Sequence, residues 1–89
     1  MALFEMGQVV ATPGALQFCE ANKINPLLLL GRHIAGDWGD LDSADVAANV
    51  HAVQHDLRIF SSYVVGSAKV WVITEADRSS TCLLLPDEY

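Results

Sequence analysis

The clearest pattern of apolar and polar positions lies in residues 58–86, where three apolar, β-branched runs are separated by two short polar breaks. Such runs predict three strands joined as an antiparallel meander. Gly66-Ser67 suits a two-residue hairpin loop, because glycine readily adopts a positive φ. This loop predicts a register with Tyr63 opposite Val70 and with Arg58 and Glu75 as a cross-strand charge pair.

The second break, residues 77–80, fits a two-residue or a four-residue loop, and both choices keep the same side chains on each face. One face carries Ile59, Tyr63, Val70, Val72, Leu83 and Leu85. The other face carries Phe60, Val64, Trp71, Ile73, Cys82 and Leu84. Both faces are apolar, so each is expected to need a cover.

Three capped segments upstream predict helices. Thr12-Pro13 and Asn25-Pro26 each pair an N-cap residue with proline at the first helical position. The first helix is expected to run to about Asn22, and the second to end before Gly36. Asp42 is the predicted cap of a third helix. Its apolar residues are predicted to form one stripe facing the sheet: Val46, Val50, Val53 and Leu57.

Glu5–Ala11 is a candidate short strand that would pair with an outer strand of the meander. The predicted fold is therefore α+β and forms a single domain over residues 1–89. A short N-terminal strand and three helices precede a three-stranded antiparallel meander, and the helices pack on the sheet.

The composition, with 52% hydrophobic and 18% charged residues, predicts a folded chain. No apolar run approaches the ~20 residues that cross a membrane, and the first residues do not have the pattern of a signal peptide. Cys19 and Cys82 fall on predicted apolar faces, which favours reduced thiols over a disulfide. We therefore expect a cytoplasmic protein with no membrane partner.

The net charge of −6 comes from 11 acidic and 5 basic residues. Nucleic-acid binders neutralise phosphates with clustered Lys and Arg, and the sequence contains no such cluster. Direct binding to DNA or RNA is therefore not expected. An acidic surface could face a basic partner, although solvated acidic faces are common.

His51 and His55 are four residues apart on the third predicted helix, a spacing that can bind a metal ion. Ala52 stands where the zincin pattern has a glutamate, and both histidines lie off the apolar stripe. Two solvated histidines are the favoured interpretation, with His51 and His55 as weak candidates for a metal site. No cofactor is expected.

Two polar segments offer a small-ligand or enzymatic site as the alternative function. They are the GDWGDL turn at residues 36–41 and the hairpin end at residues 75–80. The candidate ligand-binding residues there are His33, Asp37, Trp38, Asp77 and Arg78. Turn-forming residues account for the same composition without a site, and no nucleophile elbow, phosphate loop or dinucleotide fingerprint is present. No catalytic residues are therefore predicted, and an enzyme is not the favoured interpretation.

Nearly the whole chain resembles a family of small bacterial proteins of unassigned function carried on plasmids and integrative elements. The matching stretches are GQVVATPGAL (7–16), RH (32–33) with GDWGDL (36–41), WVITEADRS (71–79) and LLPDEY (84–89). Some relatives are labelled as a type I restriction–modification methylation subunit. The chain lacks the glycine-rich cofactor loop and the Asn/Asp-Pro-Pro-aromatic motif of a methyltransferase. The resemblance therefore implies a mobile-element setting and no mechanism.

The favoured function is a non-enzymatic accessory module that contacts a protein partner through an acidic surface or an apolar sheet face. A homodimer is also expected, because three helices cover only one face of the sheet. In this prediction the uncovered face exposes several of Ile59, Tyr63, Val70, Val72, Leu83 and Leu85. The alternative is a compact monomer whose helices are divided between both faces.

Overall fold

The computed structural model describes residues 2–89, which form three helices and a four-stranded mixed sheet. The elements in chain order are β1 (Gln8–Ala11), α1 (Pro13–Ala21), α2 (Pro26–Ile34), α3 (Ser43–His55), β2 (Ile59–Val65), β3 (Ala68–Thr74), β4 (Ser80–Leu84) and a 3₁₀ turn (Pro86–Glu88). The predicted α+β class and the three helices are confirmed. Among residues 2–89, no helix combines the length and the apolarity that crossing a membrane would require.

Each helix begins at its predicted cap, whose side chain accepts a backbone N–H from the first turn. These bonds join Thr12 to Ala15 (3.0 Å), Asn25 to Leu27 (2.9 Å) and Asp42 to Asp45 (2.9 Å). The Thr12 hydroxyl also donates to Glu88 Oε1 at 2.6 Å. This second bond ties the start of α1 to the 3₁₀ turn.

The sheet differs in detail from the predicted three-stranded antiparallel meander. Its order is β1-β4-β3-β2, and it is mixed because β1 runs parallel to β4. β2 and β3 pair in the predicted register, with Tyr63 opposite Val70. The predicted cross-strand ion pair also forms, between Arg58 Nη2 and Glu75 Oε1 at 3.1 Å.

The helices cover the face of the sheet that we expected to be exposed. Tyr63, Val70, Val72 and Leu83 are at most 1% exposed and form one core with helical residues such as Cys19 and Leu29. The expectation that this face is uncovered is therefore wrong. One physical reason is that the same face carries Ser61, Thr74 and Thr81, whose hydroxyls need buried partners, and α2 supplies one.

The opposite face is named here the aromatic face. By the strand register it carries Val10, Phe60, Val64, Trp71, Ile73, Cys82 and Leu84. Among residues 2–89, each cluster of core residues that includes helical residues contains strand residues from the other face only. Val64 is 57% exposed and Val10 is 42% exposed.

α3 is rotated relative to the prediction. Its buried residues are Asn49 and Ala52, and Val53 packs against the core, whereas Val46, Val50 and Leu57 are exposed. The prediction that the valine stripe faces the sheet is therefore wrong for all of its residues except Val53. The side chain of Asn49 reaches the backbone of β2, and satisfying those polar groups decides which side of the helix is buried. Leu27 and Leu28 on α2 are likewise exposed, because α2 turns Leu29, Leu30 and His33 inward.

Candidate functional site

The two polar segments predicted to form a ligand site both contact Phe4. The Phe4 ring lies 6.2 Å from the Trp38 ring and 5.7 Å from Cζ of Arg78. The His33 ring meets the edge of Phe4 at 5.2 Å. The structure thus brings three of the five candidate residues around one phenylalanine that the sequence analysis did not single out.

His33 is completely buried and bridges two strands. Its Nδ1 lies 2.6 Å from Ser61 Oγ on β2, and its Nε2 lies 2.9 Å from Thr74 Oγ1 on β3. Burial lowers the pKa of His33 from 6.5 to about 4, so the ring is neutral at pH 7. A neutral imidazole can donate through one nitrogen and accept through the other.

The hydroxyls beyond His33 determine its tautomer. Thr81 Oγ1 donates to the Met6 carbonyl at 2.8 Å and lies 2.7 Å from Thr74 Oγ1. Since Thr81 donates its only hydroxyl proton to the Met6 carbonyl, the Thr74 hydroxyl must donate to Thr81. Thr74 must then accept from Nε2–H of His33, which leaves Nδ1 to accept from Ser61. The hydrogen bonds form one directed chain from β2 to the segment before β1.

Asp37 lies outside this buried chain. Its carboxylate accepts from Arg32 Nε at 2.7 Å, and both side chains are about half exposed. The hydrogen bond from Arg32 lowers the pKa of Asp37. The Asp37 carbonyl accepts from the Tyr63 hydroxyl at 2.7 Å, and burial raises the pKa of Tyr63 to about 12. Asp37 therefore holds the GDWGDL turn against α2 and β2.

Arg78 is engaged by the backbone around it. Its guanidinium donates to four carbonyls: Nη2 to Ala52 (2.9 Å), and Nη1 to Leu57 (2.7 Å), Glu75 (3.1 Å) and Ala76 (3.1 Å). The Ala52 carbonyl belongs to the last turn of α3, and the Leu57 carbonyl lies two residues after the end of this helix. Arg78 thus fastens the β3–β4 hairpin to the end of α3, where a cation also complements the helix dipole.

Asp77 is exposed and stabilises the hairpin turn. Its Oδ1 accepts from the backbone N–H of Ser79 at 3.0 Å, and hydrogen bonds from Ser79 lower its pKa. Trp38 is only 6% exposed. Four of the five candidate residues make side-chain hydrogen bonds within the protein, and these bonds stabilise turns and fasten elements together; the four are His33, Asp37, Asp77 and Arg78.

His51 and His55 are exposed on α3, with ring centroids 4.1 Å apart. No group of three or more His, Cys, Asp or Glu side chains that could hold a metal ion occurs in the part of the chain that the structure describes. Cys19 and Cys82 are free thiols, and burial raises the pKa of each. A raised pKa makes a thiol less reactive as a nucleophile.

The aromatic face carries a row of three rings. Phe60 and Trp71 meet edge to face with centroids 5.0 Å apart, and Trp71 and Tyr89 do so at 5.8 Å. Ile73 and Leu84, each 7% exposed, lie beside these rings in the register. The six meander residues of this face were predicted correctly, whereas Val10 on β1 and Tyr89 after the 3₁₀ turn were not predicted to lie on it.

Arg58 positions Tyr89 at the margin of the aromatic face. Its Nη1 donates to the Tyr89 hydroxyl at 2.9 Å, while Nη2 pairs with Glu75. Tyr89 itself remains 72% exposed. A ring that is fixed by a hydrogen bond and yet exposed offers contact area at little cost in conformational entropy.

A separate open groove of about 360 Å³ lies between α1, the β2–β3 hairpin and the 3₁₀ turn. Its lining residues are Phe18, Ala68, Lys69, Leu85, Pro86 and Asp87. None of the five predicted ligand-binding residues lines it. No family model, no curated protein and no solved structure matches this chain.

Proposed function

We propose that this domain is a non-enzymatic protein-interaction module that contacts a protein partner through its aromatic face. The resemblance to plasmid-borne and integrative-element proteins motivates the further proposal that it is an accessory of a mobile genetic element. A twofold partner is one form that such a contact can take.

The observation that carries the proposal is the uncovered apolar face of the sheet. Phe60, Trp71 and Tyr89 form a continuous row there. On the same face Tyr89 is 72%, Val64 57% and Val10 42% exposed. Aromatic residues surrounded by aliphatic ones are enriched at the centres of protein interfaces. An apolar surface rimmed by polar residues marks a contact site on a protein.

The acidic surface is the less favoured contact site, because several of its carboxylates already have structural roles. Asp42 caps α3, Asp37 pairs with Arg32, and Asp40 pairs with Lys69 at 3.1 Å. Caps and local ion pairs account for these acidic positions without a basic partner. The same argument disfavours the small-ligand alternative around Phe4, where His33 and Arg78 already make hydrogen bonds within the protein.

A capture experiment with a matched pair of variants tests the proposal. Val64 on the aromatic face and Val50 on α3 are 57% and 50% exposed, so Val64→Glu and Val50→Glu introduce the same charge at sites of similar exposure. Tagged wild type, V64E and V50E are incubated with lysate of a host that expresses the untagged chain. Retained proteins are identified by mass spectrometry, purified and titrated against each variant.

We expect at least one protein, including the untagged chain itself as a candidate, to bind wild type and V50E saturably and V64E at least ~10-fold more weakly. Equal binding to V64E and wild type would refute the aromatic face as the contact site. Retention of no protein above background would contradict the interaction function itself.

A further inference from the structure

We infer that the occupant of the aromatic face is a second copy of this chain, packed sheet against sheet across a twofold axis. This inference rests on the proposed function, because it names the partner of the same surface. It places the homodimer contact on the face opposite to the one that the sequence predicted.

The area of the face is sufficient for a specific contact. Four strands at about 4.8 Å spacing, with about six residues each at 3.4 Å, span roughly 20 by 20 Å. Two such faces, corrugated by their rings, bury on the order of 1,000 Å² in total, which is the lower limit for a specific interface. A dimer of this size is expected to dissociate in the micromolar range.

The charge of the face permits self-association although each chain carries −6. The charged positions on the face are Arg58, Lys69 and Glu75, and Lys69 pairs with Asp40 of the adjoining turn, so these four groups together carry no net charge. Arg58 pairs with Glu75 in the same chain. At about 0.15 M salt the repulsion between the remaining carboxylates is screened within ~8 Å.

The positions of two charges select the relative orientation of the two copies. Lys69 lies near the start of β3 and Glu75 lies just beyond its end, both on the aromatic side. Trp71 and Ile73 lie between them on the same side. A twofold axis along the strands would place Lys69 against Lys69 of the other copy. An axis across the strands instead places each Lys69 near Glu75 of the other copy and Trp71 near Ile73. The second arrangement is favoured, because it joins the Lys69–Asp40 pair of one copy and the Arg58–Glu75 pair of the other into a network of alternating charges, whereas the first brings like charges together.

A charge exchange tests this orientation. Lys69→Glu places like charges together at both ends, and the dimer is expected to dissociate about 10-fold more readily. Glu75→Lys alone and the double variant complete a double-mutant cycle, in which the losses of the Lys69–Asp40 and Arg58–Glu75 pairs within each chain cancel. The double variant is expected to dimerise at least ~10-fold more tightly than the two single effects added together predict. Additive effects of the two substitutions would overturn the antiparallel arrangement.

Sedimentation equilibrium of the untagged chain over the micromolar range tests the dimer itself. Wild type and V50E are expected to approach twice the 9.6 kDa chain mass with rising concentration. V64E is expected to weaken the dimer at least ~100-fold, because it places a charge in an apolar interface. Its fold should persist, because Val64 is 57% exposed and a glutamate there remains in solvent in the monomer.

A wild-type mass of 9.6 kDa at every concentration would overturn the second copy as occupant. If wild type still retained another protein in the capture experiment and V64E did not, the proposed function would stand without the homodimer. A V64E dimer as tight as wild type would place the self-contact elsewhere and overturn the inference. A monomeric V50E beside a dimeric V64E would do the same and would locate the contact on α3.

Discussion

Asn49 of α3 holds both backbone polar groups of Phe60 at the outer edge of the sheet. Its Nδ2 donates to the Phe60 carbonyl at 2.6 Å, and its Oδ1 accepts from the Phe60 N–H at 3.1 Å. Two residues further along, Ser62 exchanges backbone hydrogen bonds with Trp38 and Asp40. The edge of β2 is therefore capped by one side chain and one turn, which protects it from pairing with another strand.

Asn49→Ala is expected to lower the free energy of unfolding by about 2–4 kcal/mol, because two part-buried backbone groups lose their partner. Urea unfolding at a fixed protein concentration measures the change. Asn22→Ala is the matched control, since the Asn22 amide makes an exposed bond to the Phe18 carbonyl, and its effect should stay below ~1 kcal/mol. Equal effects of the two variants would contradict a special role for Asn49.

Stability is expected to fall as the pH is lowered from about 6.5 to 5 because of His33. Its pKa is about 4 in the folded protein and near 6.5 in the unfolded chain, so the unfolded chain binds more protons between these values. Stability is therefore complete above pH 6.5 and decreases as the pH falls towards 4, with a loss of roughly 2 kcal/mol by pH 5. His33→Gln should remove most of this dependence, whereas His51→Gln on the exposed surface should retain it. A wild-type stability that is flat across this range would show that His33 titrates normally.

The directed hydrogen-bond chain predicts the Nε2–H tautomer of His33 at pH 7. ¹⁵N NMR should show a protonated Nε2 and an unprotonated Nδ1 for this ring. Thr74→Val should destabilise the protein by about 2–4 kcal/mol, since it leaves Nε2–H without its acceptor and Thr81 without its donor. Observation of the Nδ1–H tautomer would contradict the deduced direction of the hydrogen bonds along this chain of side chains.

Gly39→Ala is expected to destabilise the protein by more than about 1 kcal/mol. Gly39 has φ +77° and pairs with Ser62, and an added Cβ would collide with the Ser62 carbonyl. Gly31 in α2 is the control, because a Cβ there meets nothing within 4 Å. Gly31→Ala should stabilise by about 0.5–1 kcal/mol through helix propensity. Thermal unfolding that moved in the same direction for both variants would contradict this contrast.

Arg78→Met is expected to destabilise the protein by about 2–4 kcal/mol, because four backbone carbonyls lose a charged donor. Arg32→Met should cost less than ~1 kcal/mol, since its ion pair with Asp37 is exposed. Chemical unfolding of both variants provides the comparison. Were Arg78→Met neutral, its role in fastening the hairpin to α3 would be wrong.

The sequence by itself determined the features that depend on neighbouring residues. The caps at Thr12, Asn25 and Asp42 and the Gly66-Ser67 hairpin use bonds and dihedral angles within a few residues, so local chemistry specifies them. The alternation of side chains along the strands also assigned them to two faces correctly. It could not decide which face the helices cover, because both are apolar.

That choice was decided by contacts between residues far apart in the chain. His33 binds Ser61 and Thr74, which are 28 and 41 residues away in the sequence. Because these buried hydroxyls need partners, α2 packs on the face that carries them. Asn49 turns α3 by binding Phe60, although its valines would predict another rotation. The candidate ligand residues became parts of the scaffold for the same reason. Hydrophobic periodicity records where apolar side chains lie, whereas pairing every buried polar group is a condition that only the tertiary structure can satisfy.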